Sequence, residues 1–278
     1  MQELAGKVAV ITGAASGFGR ELAILCAEAD MKLVLADRNE AGMATTVEML
    51  PSPHVPVLAV TCDVSRPQDL ENLAERTWEK FGAAHLLFNN AGIAVAGPTW
   101  TTTLDEWKWV LDVNLMGVVH GIRSFVPRML AQGGEAHVVN TASAAGLVSP
   151  KGSSVYCVSK HGVVTLSECL YHELREAESS IGVSVLCPAF VDTGIAHSDQ
   201  TRPEGTAANP LSQRYAEQVR RATKAGKLSA ADVARITLEG VRAGRFYILP
   251  HKAIKRAIET RMQDILEDRV PTDTTPRP

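Results

Sequence analysis

Lys7-Val8-Ala9-Val10-Ile11-Thr12-Gly13-Ala14-Ala15-Ser16-Gly17-Phe18-Gly19 is an apolar run that ends in glycines spaced Gly-x-x-x-Gly-x-Gly. Residues 7–11 alternate little between polar and apolar, which is the pattern of a strand covered on both faces. Glycines in the turn that follows let the backbone bend tightly and let a ligand approach it closely. A helix starting there offers free N–H groups and the positive end of its dipole to an anion. A glycine loop between the first strand and the first helix therefore reads as a pyrophosphate cradle, although the more familiar spacing is Gly-x-Gly-x-x-Gly.

The same rhythm continues along the chain. Apolar runs at 7–11, 32–36, 55–60, 85–88, 137–140, 183–187 and 246–249 read as seven strands. The stretches between them are long enough for helices. At 65–81, Ser65 and Gln68 suggest a capping box and Pro67 a first turn, with Leu70, Leu73, Ala74, Trp78 and Phe81 on one face. Alternation of this kind predicts an α/β fold, a doubly wound (Rossmann-type) seven-stranded parallel sheet with helices on both faces. No linker divides the chain, so residues 1–270 are expected to form a single domain. Within it, 192–228 is polar and Pro/Gly-containing, the composition of a substrate lid. Residues 251–269 suggest a C-terminal helix with Ile258, Met262, Ile265 and Leu266 as its apolar side, and 271–278 a frayed tail.

Bulk properties exclude several classes. The 278 residues are 45% hydrophobic and carry a net charge of −3 with scattered bases. No basic cluster points to nucleic acid, and no apolar stretch suits a membrane span. Nothing at the start of the chain resembles a secretion signal, so a cytoplasmic location is expected. Cys26, Cys62, Cys157, Cys169 and Cys187 show no paired or zinc-type spacing, so neither a disulfide nor a metal is expected.

The second strand ends at Ala36-Asp37-Arg38. Asp37 stands 24 residues beyond Gly13, where a carboxylate can hold the adenosine ribose hydroxyls and repel a 2′-phosphate. Arg38 could attract that phosphate, while Ser16 adds no positive charge to the loop. The balance favours NAD over NADP.

Farther along, Tyr156-Cys157-Val158-Ser159-Lys160 places a phenol and an ammonium one helical turn apart. An unperturbed phenol, with a pKa of about 10, is a poor base, and a nearby ammonium favours its ionised form. With Thr12 to Gly19 upstream, this arrangement resembles the short-chain dehydrogenase/reductase family over nearly the whole chain. Asp63-Val64 is similar to the family's adenine-contacting pair. Asn89-Asn90-Ala91-Gly92 is similar to its Asn-Asn-Ala-Gly signature, and Asn114 to the asparagine of its proton relay. Ser143 precedes Tyr156 by 13 residues, the usual family interval. The segment Pro188-Ala189-Phe190-Val191-Asp192-Thr193 resembles the stretch beside the nicotinamide, with Ala189 where the family usually has glycine.

That resemblance implies roles. Tyr156 would be the general base in alcohol oxidation and the acid in ketone reduction. Lys160 would lower the phenol's pKa and bind the nicotinamide ribose. Ser143 would donate to the substrate oxygen, and Asn114 would hold a water linking Lys160 to solvent. The cofactor set would comprise Gly13, Ser16, Gly17, Phe18, Gly19, Asp37, Arg38, Asp63, Val64, Asn90, Ala91, Gly92, Tyr156, Lys160, Pro188, Val191 and Thr193. His161 matches no family role and reads as structural. The family commonly forms homotetramers or homodimers, so assembly of that kind is implied. Apolar wall candidates are Ile93, Val95, Trp100, Leu147, Val148, Phe190 and Ile195, which suit a hydrophobic secondary alcohol or its ketone. Residues 126–129 and the Tyr-Ile-Leu-Pro ending resemble bacterial members acting on aryl alcohols. Two other readings stay open: an NADP-dependent ketone reductase of steroid or ketoacyl type, and a non-catalytic dinucleotide sensor.

Overall fold

The computed structural model describes residues 1–195, 198 and 210–274. Its seven strands are β1 (Val8–Thr12), β2 (Lys32–Asp37), β3 (Val57–Thr61), β4 (Leu86–Asn89), β5 (Ala136–Thr141), β6 (Ile181–Leu186) and β7 (Tyr247–Ile248). They form one sheet in the order β3-β2-β1-β4-β5-β6-β7, and every pairing is parallel. The doubly wound fold expected from the sequence is present.

The lack of polar alternation has a simple cause. In β1, Ala9 and Ile11 face one apolar cluster, whereas Val8 and Val10 face a second on the opposite side of the sheet. Leu33 and Leu35 oppose Val34 and Ala36 in β2, and Leu86 and Phe88 oppose Leu87 in β4, in the same manner. A residue facing either way is buried, so both positions are apolar.

Helices α1 (Gly17–Glu28), α2 (Glu40–Glu48), α3 (Pro67–Phe81), α4 (Leu104–Leu111), α5 (Gly117–Gln132), α6 (Ser154–Glu176), α7 (Pro210–Lys224), α8 (Ala230–Arg242) and α9 (Ile254–Leu266) complete the described elements. In α3, Leu70, Leu73, Ala74 and Thr77 are buried as the spacing predicts. Burying each leucine contributes on the order of 2 kcal/mol. Its expected capping box does not form. Arg66 is the N-cap, and the Ser65 hydroxyl donates to Asp63 Oδ1 at 2.7 Å. Pro67 at the first turn supplies the preset backbone angle instead. Between α4 and α5 the helix widens into one π-turn, Asp112–Met116.

All strands run the same way, so their carboxyl ends share one edge. The sheet winds from β1 towards β3 on one side and from β4 towards β7 on the other. The reversal between β1 and β4 opens a crevice at that edge.

Candidate active site

The β1–α1 loop occupies the crevice at the strand reversal. Gly13 has φ +69° and leaves no room for a side chain: a Cβ there would lie 2.9 Å from Ala91 Cα. On Gly19 a Cβ would meet the Gly13 carbonyl oxygen at 2.1 Å. Ser16, the N-cap of α1, makes no side-chain cap bond, and the first turn holds no acid. The leading N–H groups of α1 are thus left to an anion. Ser16 is exposed, and Phe18 packs against the core. Thr12 ties the loop to the next strand end. Its hydroxyl donates to Phe88 O at 3.2 Å and accepts from Asn90 N at 2.9 Å and Ala91 N at 3.1 Å. The Asn90 amide donates to Thr12 O at 3.0 Å. Asn89 points away from the crevice and donates to Asn140 Oδ1 at 2.9 Å.

Asp37 ends β2 with both carboxylate oxygens engaged. Oδ2 accepts from Ala15 N at 3.0 Å and Oδ1 from Asn39 N at 2.9 Å. These bonds aim the carboxylate at the glycine loop, while Arg38 is exposed. Asp63 follows β3; its Oδ1 accepts from the Ser65 amide at 3.0 Å. The Val64 carbonyl lies 2.9 Å from His120 Nδ1, and its side chain fills the space beside Gly117. The clefts present, a side-chain-free loop over uncapped amides with a carboxylate at its far end, fit a dinucleotide.

Across the crevice, β5 delivers Ser143 in extended conformation, φ −171°. Its hydroxyl accepts from Ala145 N at 3.1 Å, donates to Pro188 O at 3.3 Å and bonds the Tyr156 phenol. Tyr156 and Lys160 share one face of α6, with Lys160 Nζ 5.8 Å from the ring centroid. Lys160 is buried and donates to Thr141 O at 2.8 Å. Asn114 lies in the π-turn, fully buried. Its Oδ1 accepts from Ile93 N at 2.8 Å, and its amide donates to Ile93 O at 2.9 Å and Ser159 Oγ at 3.1 Å. Gly92 keeps space between the two polar groups: a Cβ on it would sit 3.3 Å from Asn114 Oδ1 and 3.4 Å from Lys160 Nζ. A π-turn re-aims one side chain without ending the helix, which is how Asn114 reaches this point.

Electrostatics here differ from the sequence expectation. Burial pushes the Tyr156 phenol up to about 12, and the bond from Ser143 opposes this only partly. Burial also brings the Lys160 ammonium down to about 8. Desolvation therefore outweighs any lowering of Tyr156 by Lys160, whose Nζ is directed at a backbone carbonyl. At neutral pH the phenol keeps its proton.

The segment after β6 joins the two halves. Pro188 and Val191 are buried, and Thr193 Cβ lies 3.3 Å from a Cβ built on Gly17. Ser198 Oγ accepts from Ala94 N at 3.1 Å and donates to Ile195 O at 2.7 Å. Of the expected lid, 196–197 and 199–209 lie outside the described residues. Helix α7 sits over the rim, where Tyr215 abuts Gly152 and Ser212 abuts Gly97. Two wall candidates behave otherwise than expected. Val95 packs with Val110 and Val155 in a separate core cluster, and Trp100 is 84% exposed. In α9, Met262, Ile265 and Leu266 are exposed while Asp264 is buried, because Asp264 accepts the Thr272 amide at 2.8 Å and pairs with Arg269. The tail's first residues thus fold back, and Asp273 pairs with Lys151 at 3.0 Å. The residues 275–278 lie outside the described ones. Thr12, Thr141, Ser159 and His251 join the site without having been singled out. Ser159, inside the Tyr156–Lys160 turn, and Thr12, at the head of the glycine loop, carried a local signal.

A second concavity, of about 510 Å³ and lined in part by Glu28, Asp30, Ser52 and His54, lies at the opposite, amino edge of the sheet. It has no part of this constellation. Among the described residues no helix is long and apolar enough to cross a membrane.

Comparison with known proteins agrees with the geometry. The short chain dehydrogenase family model matches residues 7–204. A crystal structure of a short chain dehydrogenase/reductase from Burkholderia phymatum in complex with NAD superposes with a TM-score of 0.97 at 48% identity, covering 100% of both chains. A CLA biosynthesis dehydrogenase/reductase from Lactiplantibacillus plantarum is 33% identical over 98% of this chain and 97% of its own. A 1-deoxy-11-beta-hydroxypentalenate dehydrogenase from Streptomyces exfoliatus is 31% identical over 93% of this chain and 88% of its own.

Proposed function

The chain belongs to the short-chain dehydrogenase family, as an NAD(P)-dependent oxidoreductase acting on CH–OH groups, and we propose that it interconverts a hydrophobic secondary alcohol, aryl alcohols included, and its ketone with NAD. The observation that carries this reading is the convergence of Ser143, Tyr156 and Lys160 beside the glycine loop, with Lys160 Nζ 5.8 Å from the phenol ring. When bound, the nicotinamide ring accepts or supplies the hydride, and its oxidised form adds positive charge near the phenol.

The chain's own residues handle the proton and the developing charge. In ketone reduction the Tyr156 hydroxyl, held protonated by burial, gives its proton to the carbonyl oxygen as that oxygen becomes an alcohol. In the reverse direction the phenol first loses its proton toward Lys160, and the resulting phenolate takes the hydroxyl proton. Ser143 turns its weak 3.3 Å bond away from Pro188 O and donates to the same oxygen. Lys160 would hold the nicotinamide ribose and, as an ammonium, supply the proton that restores Tyr156. Asn114, fixed by Ile93 and Ser159, orders the route from Lys160 outward. The segment 188–193 would flank the nicotinamide, and α7 would cover the rim, where Tyr215 abuts Gly152.

The NAD preference rests on Asp37. Its carboxylate, pinned by the Ala15 and Asn39 amides, puts negative charge where a 2′-phosphate would have to lie. The relatives named for CLA biosynthesis and for hydroxypentalenate support an apolar carbon skeleton as substrate.

One experiment tests the whole reading. Wild type and Tyr156→Phe are assayed on a panel of apolar secondary alcohols and ketones with NAD and with NADP. The expected result is turnover by wild type with NAD preferred, and loss in Tyr156→Phe of at least about 1000-fold in kcat with cofactor binding retained. Undiminished turnover by Tyr156→Phe would remove the phenol from the chemistry, and a preference for NADP would remove Asp37 as the selector.

A further inference from the structure

Loop 187–193 bridges the two halves of the site, from Ser143 at one end to Gly17 at the other. Its backbone groups need partners that a strand or helix would otherwise provide. Cys187 N donates to Ile248 O at 2.9 Å, continuing the sheet. Pro188 O accepts from Ala144 N at 2.8 Å and from Ser143 Oγ at 3.3 Å. Ala189 N is beyond the reach of any strand. It donates to a side chain 62 positions away, His251 Nδ1, at 3.1 Å.

His251 stands just past β7, on the segment leading into α9. Since Nδ1 accepts, the ring proton sits on Nε2. That Nε2 is buried and has no hydrogen-bond partner among the described residues. A buried donor left unsatisfied opposes folding, so packing alone does not account for an imidazole here; an apolar ring would fill the space without that cost. The useful edge of the ring is the one facing Ala189. Partial burial also favours the neutral ring that can accept at Nδ1.

We propose that His251 is a positioning residue for the hydride-transfer site: by accepting from Ala189 N–H it fixes the 187–193 loop that sets the Ser143 hydroxyl on one side and flanks the nicotinamide on the other. The idea rests on the dehydrogenase reading given above. Ala189 gives it added weight. Ala189 carries a Cβ, which narrows the backbone angles open to the loop. The His251 bond then selects among those that remain. The loop is braced from a third direction by Gly226, where a Cβ would lie 2.4 Å from Phe190 O.

The test compares acceptors at one position. His251→Leu keeps bulk and removes the acceptor, and His251→Asn places an amide oxygen near the site of Nδ1. NADH affinity is read by nicotinamide fluorescence, kcat by turnover, and folding by thermal melting. In His251→Leu the NADH dissociation constant is expected to rise about fivefold and kcat to fall about tenfold, and His251→Asn to return both to within about threefold of wild type. His251→Ala replaces the leucine variant should that one fail to fold. An unchanged NADH dissociation constant in the folded leucine or alanine variant overturns the proposal, as does an asparagine variant no better than leucine. Failure of wild type to bind NADH or turn over any alcohol would instead sink the functional reading, so the two failures are told apart.

Discussion

The two walls of the crevice are built by opposite means. On the dinucleotide side, backbone meets backbone: Gly13 lies against Ala91 and Gly19 against the Gly13 carbonyl. On the substrate rim, side chains meet across long sequence separations. Tyr215 of α7 fills the space beside Gly152, Ser212 that beside Gly97, and Lys151 reaches Asp273 of the tail. Among the described residues the backbone bond from Gly97 N to Gly152 O, at 2.8 Å, ties the rim's two loops together. A wall made of main chain has a fixed shape whatever the substrate. A wall made of side chains can change with the substrate while the fold stays the same. The first suits a cofactor shared by many enzymes, and the second suits the variable partner.

The largest effect expected from this contrast is at Gly19. A methyl there is directed at the Gly13 carbonyl oxygen and carbon, 2.1 and 2.7 Å away, neither of which can rotate aside. Gly19→Ala is expected to weaken NADH binding about 100-fold and to destabilise the fold by about 1–3 kcal/mol. Calorimetric titration with NADH and a melting curve measure the two. Near-normal affinity would show that the loop's close approach is dispensable, and the contrast between the walls would fail on its firmer side.

On the rim, Gly152 carries φ +73°, and a Cβ would overlap the Tyr215 ring at 2.1 Å. The ring is a side chain and can move, taking α7 with it. Gly152→Ala is therefore expected to raise KM for the alcohol about three- to tenfold, with NADH affinity unchanged. Adding Tyr215→Ala relieves the overlap and recovers part of the loss, a coupling that a double-mutant cycle reads directly. Equal damage to cofactor and substrate binding would mean that the walls are mechanically one.

The same contrast explains what could be read from the chain. The sheet was legible because burial on both faces forces apolar residues at the central positions of β1, β2 and β4, and the expected strand at 32–36 ends one residue from β2 as it stands. The glycine loop was legible because main-chain contact excludes side chains, which leaves a local mark. The relay residues were found by their spacing, yet their surroundings were not. Nothing in Asp112-Val113-Asn114 announces a π-turn, because it depends on how α4 and α5 pack against α6. Ser65 with Gln68 had the local form of a capping box, but Asp63 competes for the Ser65 hydroxyl and wins. The apolar side of α9 was legible from its spacing, but Asp264, which turns inward to hold the returning tail, was not. Trp100 was assigned to a wall from its composition and stands in solvent. In each case the deciding partner lies far away in sequence or in competition nearby, and periodicity carries no information about it.

The smallest effect is expected at the Lys151–Asp273 pair, and it marks how far the rim extends. Both side chains are largely exposed, so the attraction is screened and weak. The tail is held independently by Thr272 N on Asp264, so Asp273→Asn should leave the melting temperature nearly unchanged. What it should alter is the freedom of the 149–153 loop, and with it the position of Gly152 under Tyr215. The expected outcome is a change of up to about twofold in KM, for the bulkiest alcohol turned over and not for the smallest. Wild type at high salt should behave as Asp273→Asn does at low salt, because ions screen in solution what the substitution deletes. A shift of NADH affinity in the same variant would place the tail's influence on the dinucleotide wall. A salt response that survives in Asp273→Asn would assign the screening to some other charge.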